Sequence, residues 1–403
     1  MTRLSLPATA VKVAHVCTVD ISLRYLLLNQ LKTMQAAGYQ VWGISAPGVE
    51  VTVLESAGIP HLAVPFTRSS SLTPLADLRA FWHLVRLFRR ERFTIVHTHT
   101  AKPDLYATMA ARLAGIPVVL TTLHGFYFHD LMPDHWRRFF MTMAQIGGWF
   151  ADVVLSQNPE DMTTNEKERV YRPSKMKFLG NGIDVTRFDR QQLDHTILHA
   201  RRQEIGIPAN APVVGFVGRL VADKGILELL AAAQIIRQRV PEVRFLLVGP
   251  VDDAKVDVIT PTIAREYGLE DACIFTGMRQ DMPEMFGLMD ICVLPSHREA
   301  FPRSLMEASA MGVPCVATDV RGCRTVVSHN QNGLLVHVGD VPALADGILY
   351  LLQNEEEARR MGGEGRRIAL ERFDEQKVFA TVLAEYARLL TEKRLAVPAS
   401  PSA

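Results

Sequence analysis

The second half of the chain holds charged residues whose types and spacing suit a sugar attached to phosphate. Val213–Val217 reads as a strand running into Gly218-Arg219-Leu-Val-Ala-Asp-Lys224-Gly225, which opens a helix. A glycine at a strand end lets the backbone approach a ligand, and a helix start offers N–H groups and the positive end of a dipole. Arg219 and Lys224 add two cations at that edge, as a diphosphate requires. A plain strand-to-helix turn with surface charges is the other reading. Further on, Pro295-Ser-His-Arg-Glu299-Ala-Phe-Pro-Arg-Ser304-Leu-Met-Glu307 puts one carboxylate in a loop after a strand. It puts a second in the first turns of a helix entered at Pro302. A carboxylate placed so can accept both hydroxyls of a ribose, and the N–H groups of Arg303–Leu305 would cap an anion. With no ligand, Glu307 would simply complement the helix dipole and Glu299 would be a solvated loop acid. Phe275-Thr-Gly277-Met278 is a strand end where a flat base could lie against backbone.

Histidines dominate the first half. Thr122-Leu-His124-Gly125 sets an imidazole at a strand's carboxyl end, where it can donate a hydrogen bond; a satisfied, partly buried side chain is the alternative. His97-Thr-His99 puts two imidazoles on one face of a strand, and His129 follows. No second-shell acid accompanies them, so no metal site is expected. Asp20, after the first strand, could face an acceptor hydroxyl, as could His99.

These residues need sheets to position them. In the first half, Val11–Thr18, Val41–Ser45, Thr94–Thr100, Val118–His124 and Asp152–Gln157 read as strands. Helical patterns lie between them, up to Ala37 and at Leu75–Arg90, Asp104–Leu113 and Trp136–Phe150. A second series follows: strands at Pro212–Arg219, Val243–Val248, 273–276, 291–294 and 314–318, with helices at Ile226–Arg239, 261–267, Pro283–Met289 and 304–311. Strand-helix alternation implies parallel sheets covered on both faces, hence two α/β doubly wound domains facing a cleft. The expected bounds are 1–190 and 191–375, with a strandless linker at 184–211. A closing helix at 376–395 returns to the first domain, and a flexible tail occupies 396–403.

Composition narrows the class. The 403 residues carry 44 Lys+Arg and 43 Asp+Glu, with 48% hydrophobic residues, which excludes a disordered chain and a nucleic-acid binder working through gross charge. The charge is divided: residues 1–190 hold 21 Lys+Arg against 15 Asp+Glu, and the remainder 23 against 28. Cys17, Cys273, Cys292, Cys315 and Cys323 form no CxxC, consistent with buried thiols in a reducing compartment. Met1–Ala10 lacks the pattern of a signal peptide and no apolar run is long enough to span a bilayer, so a cytoplasmic protein is expected. Within 78–92, Phe81, Leu84, Val85 and Phe88 form an apolar stripe among Arg79, Arg86, Arg89, Arg90 and Arg92. It suits an anionic bilayer surface, or alternatively the sheet-facing side of a helix. The helix beginning near Trp136 offers the same pair of readings.

In order, Gly-Arg-x4-Lys-Gly, Phe-Thr-Gly, Pro-Ser-x2-Glu-x7-Glu, Gly-Val-Pro-x-Val-Ala-Thr and Asn332-Gly333-Leu-Leu-Val336 resemble the retaining glycosyltransferases of family 4 over nearly the whole chain. The resemblance implies the GT-B fold, two Rossmann-like domains with the nucleotide-sugar held mainly by the second. By motif position it implies that Gly218, Arg219 and Lys224 hold the donor diphosphate, and that Glu307 holds the ribose. Met278 contacts the base through its backbone, and Phe301, Pro302, Arg303, Ser304 and Leu305 contact phosphate and sugar. Glu299 and His124 stand at the reacting sugar. The implied reaction moves a sugar, from UDP as the usual nucleotide, to a hydroxyl of a glycan or polyprenyl-diphosphate-linked acceptor, with retention and without metal or other cofactor. The Arg321-Gly-x-Arg324 element, with His97-Thr-His-Thr and His124-Gly-Phe, looks most like members that extend lipid-linked sugars for surface polysaccharides, which work at the inner face of the cell membrane. Thr18-Val-Asp20 replaces the Gly-Gly loop common after the first strand, and Thr325 stands where an acid is often found. A nicotinamide dehydrogenase would need a G-x-G-x-x-G after the first strand, which is missing. A nucleotide-sugar-binding protein without transferase activity is the alternative, though all four charged site residues are present.

Overall fold

Valine-rich strands that are apolar on both faces assemble into two wholly parallel sheets. The computed structural model describes residues 11–67, 73–128, 132–252 and 257–398. His129 and residues 399–403 of the expected tail lie outside the described residues. One compact unit takes the chain up to Gly180 and again from Lys377; the other is Asn181–Gln376.

The first unit's strands are β1 Lys12–Val19, β2 Gln40–Ala46, β3 His61–Ala63, β4 Ile95–Thr98, β5 Val118–Leu123, β6 Val153–Ser156 and β7 Met176–Phe178. Their order is β3-β2-β1-β4-β5-β6-β7. β3 and β7 have three residues each, too few to show a period, and were not expected. Residues 20–36 are helical as expected, but Leu23–Leu27 winds as a π turn. In the helix Pro74–Glu91, Leu84, Val85 and Phe88 are turned inward onto Ala14, Val16, Ile44 and Val96, with Phe81 partly buried. That stripe faces the sheet, one of the two readings that its sequence allowed. Leu75, Leu78 and Trp82, which flank the stripe, are exposed.

The second unit's strands are β8 Val213–Val217, β9 Arg244–Val248, β10 Cys273–Gly277, β11 Ile291–Leu294, β12 Cys315–Thr318 and β13 Gly333–Val336, in the order β10-β9-β8-β11-β12-β13. The stretch expected as a linker contains a helix, His195–Glu204, started by the Asp194 carboxylate accepting from Thr196 N at 2.7 Å. The five cysteines are free and buried. Among the described residues, no helix is long and apolar enough to cross a membrane.

The helix Glu375–Glu392 lays Val378, Phe379, Val382, Tyr386, Leu389 and Leu390 against Val13, Leu31 and Leu54 of the first unit. Each such side chain, fully buried, contributes roughly 1.5–3 kcal/mol. In both sheets the strand order reverses once, between β1 and β4 and between β8 and β11. Crevices beyond the carboxyl ends at such reversals are where doubly wound sheets take ligands.

Candidate active site

At the β8/β11 reversal, the structure gathers the charged residues picked out in the sequence. After β8, the Arg219 guanidinium donates to Asp252 Oδ2 at 2.9 Å, while remaining 45% exposed. Gly225, at φ 71°, starts the helix Ile226–Arg239; a Cβ there would lie 2.0 Å from the Pro295 carbonyl oxygen. That close approach brings the turn carrying Lys224 against the loop after β11. Lys224 Nζ accordingly reaches Glu299 Oε1 at 2.5 Å, and Ser296 Oγ donates to the same oxygen at 2.8 Å. Thr318 Oγ1, at the end of β12, donates to the Ser296 carbonyl at 2.5 Å and fixes the loop from below. Gly322 seats the next turn on the Glu299 backbone: a Cβ on it would stand 2.6 Å from Glu299 C. Glu299 is therefore held at four points, by Lys224, Ser296, Thr318 through Ser296, and the Gly322 turn.

Glu307 lies in the helix Arg303–Ala310 and is 14% exposed. Burial pushes its carboxyl up to about 7, against the pull of Arg303 and Arg187, and Glu375 adds to the rise. Arg303 Nε stands 3.8 Å from Glu307 Oε1, and its Nη1 donates to the Gly182 carbonyl at 3.2 Å. Pro302 precedes the helix with φ −74°, so the helix's first N–H groups, from Arg303, Ser304 and Leu305, have no intrahelical acceptor. Phe301 packs edge-on against Phe373, ring centroids 5.9 Å apart, and Leu305 is fully buried. These two have only backbone to offer a ligand. Gly277 ends β10 at φ 67° beside Met278, half exposed at 50%.

The β1/β4 reversal is built from imidazoles. His15 pairs with His97 in register across the two strands, and His99 follows β4. His15 Nδ1 and His99 Nε2 are 2.9 Å apart, and His15 Nε2 lies 3.2 Å from Met34 Sδ. His97 Nδ1 meets the Tyr386 hydroxyl at 2.7 Å and its Nε2 meets Thr122 Oγ1 at 2.7 Å. All three rings are buried, and burial holds each imidazole neutral, His15 down to about 3 and the other two well below the ordinary value. His124, just past β5, has its ring centroid 5.9 Å from that of His99. Asp20 is spent on a turn: its Oδ2 accepts from Glu50 N at 2.8 Å. Nitrogens of His15, His97 and His99 lie within 4.8 Å of one another, a spacing from which a metal could draw ligands, though each ring already has hydrogen-bond partners.

Sequence reading missed Ser296, Asp252, Thr318, His15 and Tyr386. Ser296 and Thr318 sat inside motifs already quoted, so the Ser296 offset of three from Glu299 and the place of Thr318 at a strand end were the available signals. The others are brought in by strand register or by the returning helix, which no local pattern reveals.

Two doubly wound domains, one edged at its reversal with cations and paired acids, define the GT-B class of nucleotide-sugar transferases. Residues 25–187 match the family described as Glycosyltransferase Family 4, and residues 199–368 match Glycosyl transferases group 1. With both halves matched, the chain belongs to these GT-B glycosyltransferases. It is 26% identical to the capsular polysaccharide biosynthesis glycosyltransferase CapM of Staphylococcus aureus, over 94% of this chain and 98% of that protein. It is 24% identical to the UDP-Gal:alpha-D-GlcNAc-diphosphoundecaprenol alpha-1,3-galactosyltransferase of Escherichia coli, over 86% and 89% of the two. The fold matches Anabaena HepE, solved in complex with UDP and glucose, at a TM-score of 0.79 and 23% identity, covering 94% of this chain and 99% of that one.

Proposed function

We propose that this glycosyltransferase is a retaining, metal-independent hexosyltransferase that moves a sugar from a UDP-sugar to a hydroxyl of a lipid-linked glycan in surface polysaccharide assembly. The observation that carries the reading is the Lys224–Glu299 pair beside Arg219 at the β8/β11 reversal. When a donor enters, Lys224 exchanges Glu299 for a phosphate oxygen, and Glu299 is released to accept a hydroxyl of the sugar. Lys224 keeps an anionic partner in the exchange, and Glu299 keeps hydrogen bonds from Ser296 and the sugar hydroxyl, which limits its desolvation cost. Glu307 takes the ribose hydroxyls, and His124 donates to the sugar or to the leaving phosphate.

In the reaction, the bond from the anomeric carbon to the diphosphate oxygen breaks and the acceptor oxygen bonds to that carbon on the same face. The acceptor's proton passes to the departing diphosphate. Arg219, Lys224 and the N–H groups at the start of helix Arg303–Ala310 stabilise the charge that develops there. The E. coli relative's name, with its UDP-sugar and undecaprenol-linked acceptor, supports the choice of substrates. Such an acceptor would place the enzyme at the inner face of the cell membrane. The face of helix Pro74–Glu91 bearing exposed Leu75, Leu78 and Trp82 among Arg79, Arg86, Arg89 and Arg90 would then lie on anionic lipid.

Titration of the protein with UDP, GDP and ADP, followed by thermal stabilisation, tests the reading. UDP should raise the melting temperature most, and Glu307→Ala should abolish the shift. No shift with any nucleotide overturns the donor site. A shift without transfer to any lipid-linked acceptor leaves a binding protein instead.

A further inference from the structure

The first unit contains a recess of about 610 Å³ that none of the residues above touches. It lies between the C-terminal end of helix Asp134–Phe150 and the turn running from Arg169 to Lys175. Those segments lead into β6 and β7, so the recess opens at the amino ends of the strands. Asp20, His99 and His124 follow the carboxyl ends of β1, β4 and β5, on the opposite edge of the same sheet. Its volume falls within the ~300–1,000 Å³ of small-molecule sites.

The recess is rigidly made. Gly148 lets the buried Tyr171 ring lie against the helix, since a Cβ there would be 2.3 Å from Tyr171 Cδ1. Lys175 Nζ donates to the carbonyls of Gly148, Trp149 and Ala151 at 3.1, 2.8 and 2.6 Å, tying the turn to the helix end. Trp149 is the most exposed tryptophan described, at 67%. The Arg172 guanidinium stands over its ring, 4.8 Å from the centroid. Neither Arg169 nor Arg172 has a carboxylate partner among the described residues, although Arg137, nearby, is held by Glu168 at 2.7 Å. Burial lowers the Lys175 pKa; Asp152 opposes this, while Arg172, Arg112 and Lys393 add to it. Glu166 is the one acid on the rim.

Two guanidiniums with no carboxylate partner among the described residues suit an oxyanion, which such groups bind bidentately. An exposed indole beside them calls for a flat, partly apolar ring, and Glu166 for a hydroxyl donor. A pyranose bearing an acid group supplies all three. We propose that this recess is a second, non-catalytic site that binds an acidic sugar unit of a glycan, with Trp149 and Arg172 under the ring, Arg169 and Arg172 on the acid group and Glu166 on a hydroxyl. The proposal rests on the reading of the chain as a glycan-extending transferase. In that role the site grips glycan away from the transfer chemistry.

Calorimetric titration of the full chain with trigalacturonate, maltotriose and inorganic phosphate tests it. Trigalacturonate should bind, and maltotriose should not. Trp149→Ala and the double variant Arg169→Ala/Arg172→Ala should each weaken trigalacturonate at least roughly tenfold, the scale of losing a charge-assisted contact. Limited proteolysis of the first unit should be unchanged in both, which shows that they fold, and UDP binding should be unchanged as well. Absence of trigalacturonate binding, or binding that neither variant alters, overturns the proposal. So does phosphate binding as tightly as trigalacturonate, which would make this a bare anion site. If UDP binds the parent protein and trigalacturonate does not, this inference alone fails; if no nucleotide binds, the transferase reading fails with it.

Discussion

The crevice between the ends of β1 and β4 and that between the ends of β8 and β11 are equivalent places in two sheets wound the same way, and they are filled in opposite manners. In the first unit, three neutral imidazoles and the Tyr386 hydroxyl close the crevice with hydrogen bonds among themselves. In the second, Arg219 remains 45% exposed, and Lys224 and Glu299 hold each other in a pair that an incoming anion can separate. A shared topology therefore offers a ligand position twice but builds charge into it once. The first crevice has the chemistry of a packed interior, the second that of a charged and partly exposed edge.

The contrast can be broken most directly by removing its charge. Arg219→Ala with Lys224→Ala should lower kcat/KM by at least roughly 10²–10³-fold, the cost of removing a donor from a developing anion, with a melting temperature close to the parent's. Turnover retained in that double variant would dissolve the distinction between the two crevices.

Next in size is Glu307→Gln. A carboxyl raised from 4.5 to about 7 means that the folded second unit loses stability as pH rises through that interval, because the unfolded chain gives up its proton first. Gln removes this loss, so the variant should be more stable at pH 8 by something on the order of 2–3 kcal/mol, and indifferent near pH 4. It should bind UDP more weakly. Urea unfolding and UDP titration at both pH values check the two effects.

The first unit should respond to acid in the opposite direction. Its histidines have depressed pKa values, so their contribution is complete above about 6.5 and is lost as pH falls toward about 3, where His15 protonates in the folded state. Asp104, which burial raises to about 8, opposes this trend, so limited proteolysis in urea of an Asp104→Asn background should cut first-unit strands sooner at pH 5.5 than at pH 8. Tyr386→Phe, which takes a hydroxyl from both His97 and His15, should destabilise that unit by about 1–3 kcal/mol and leave UDP affinity unaltered. Smallest of all, prolonged chelation should leave turnover unchanged. Lost turnover restored by a divalent ion would turn the imidazole cluster into a metal centre.

Much of the second crevice could be read from the chain because its parts are local. Gly218-Arg219, Lys224-Gly225 and the Glu299–Glu307 spacing each sit in one strand-turn-helix unit, so their place at a strand's carboxyl end followed from the pattern alone. The first crevice was mostly hidden. His97 and His99 showed only as a pair along one strand, whereas His15 joins them through the β1–β4 register and Tyr386 arrives from 289 positions away. The partner of Asp20 was hidden for a related reason: the turn its carboxylate serves, at Glu50, is 30 residues on. The stripe on Pro74–Glu91 was ambiguous in sequence, because a helix covering a sheet and a helix lying on lipid share one periodicity. Only the strands beneath it distinguish the two.

The returning helix Glu375–Glu392 also bears on how the chain is made. Asn181–Gln376 is continuous, so the second unit can close as soon as its own residues leave the ribosome. The first unit begins earlier and finishes later. Val13, Leu31 and Leu54 wait without Val382, Tyr386 and Leu390 until the stretch past Lys377 has been synthesised. Through that interval the earlier-made half presents an incomplete apolar surface, the kind that chaperones recognise and that aggregates when left uncovered. Shortened chains ending before Tyr386 should therefore accumulate as insoluble material, even with every residue of the nucleotide site in place.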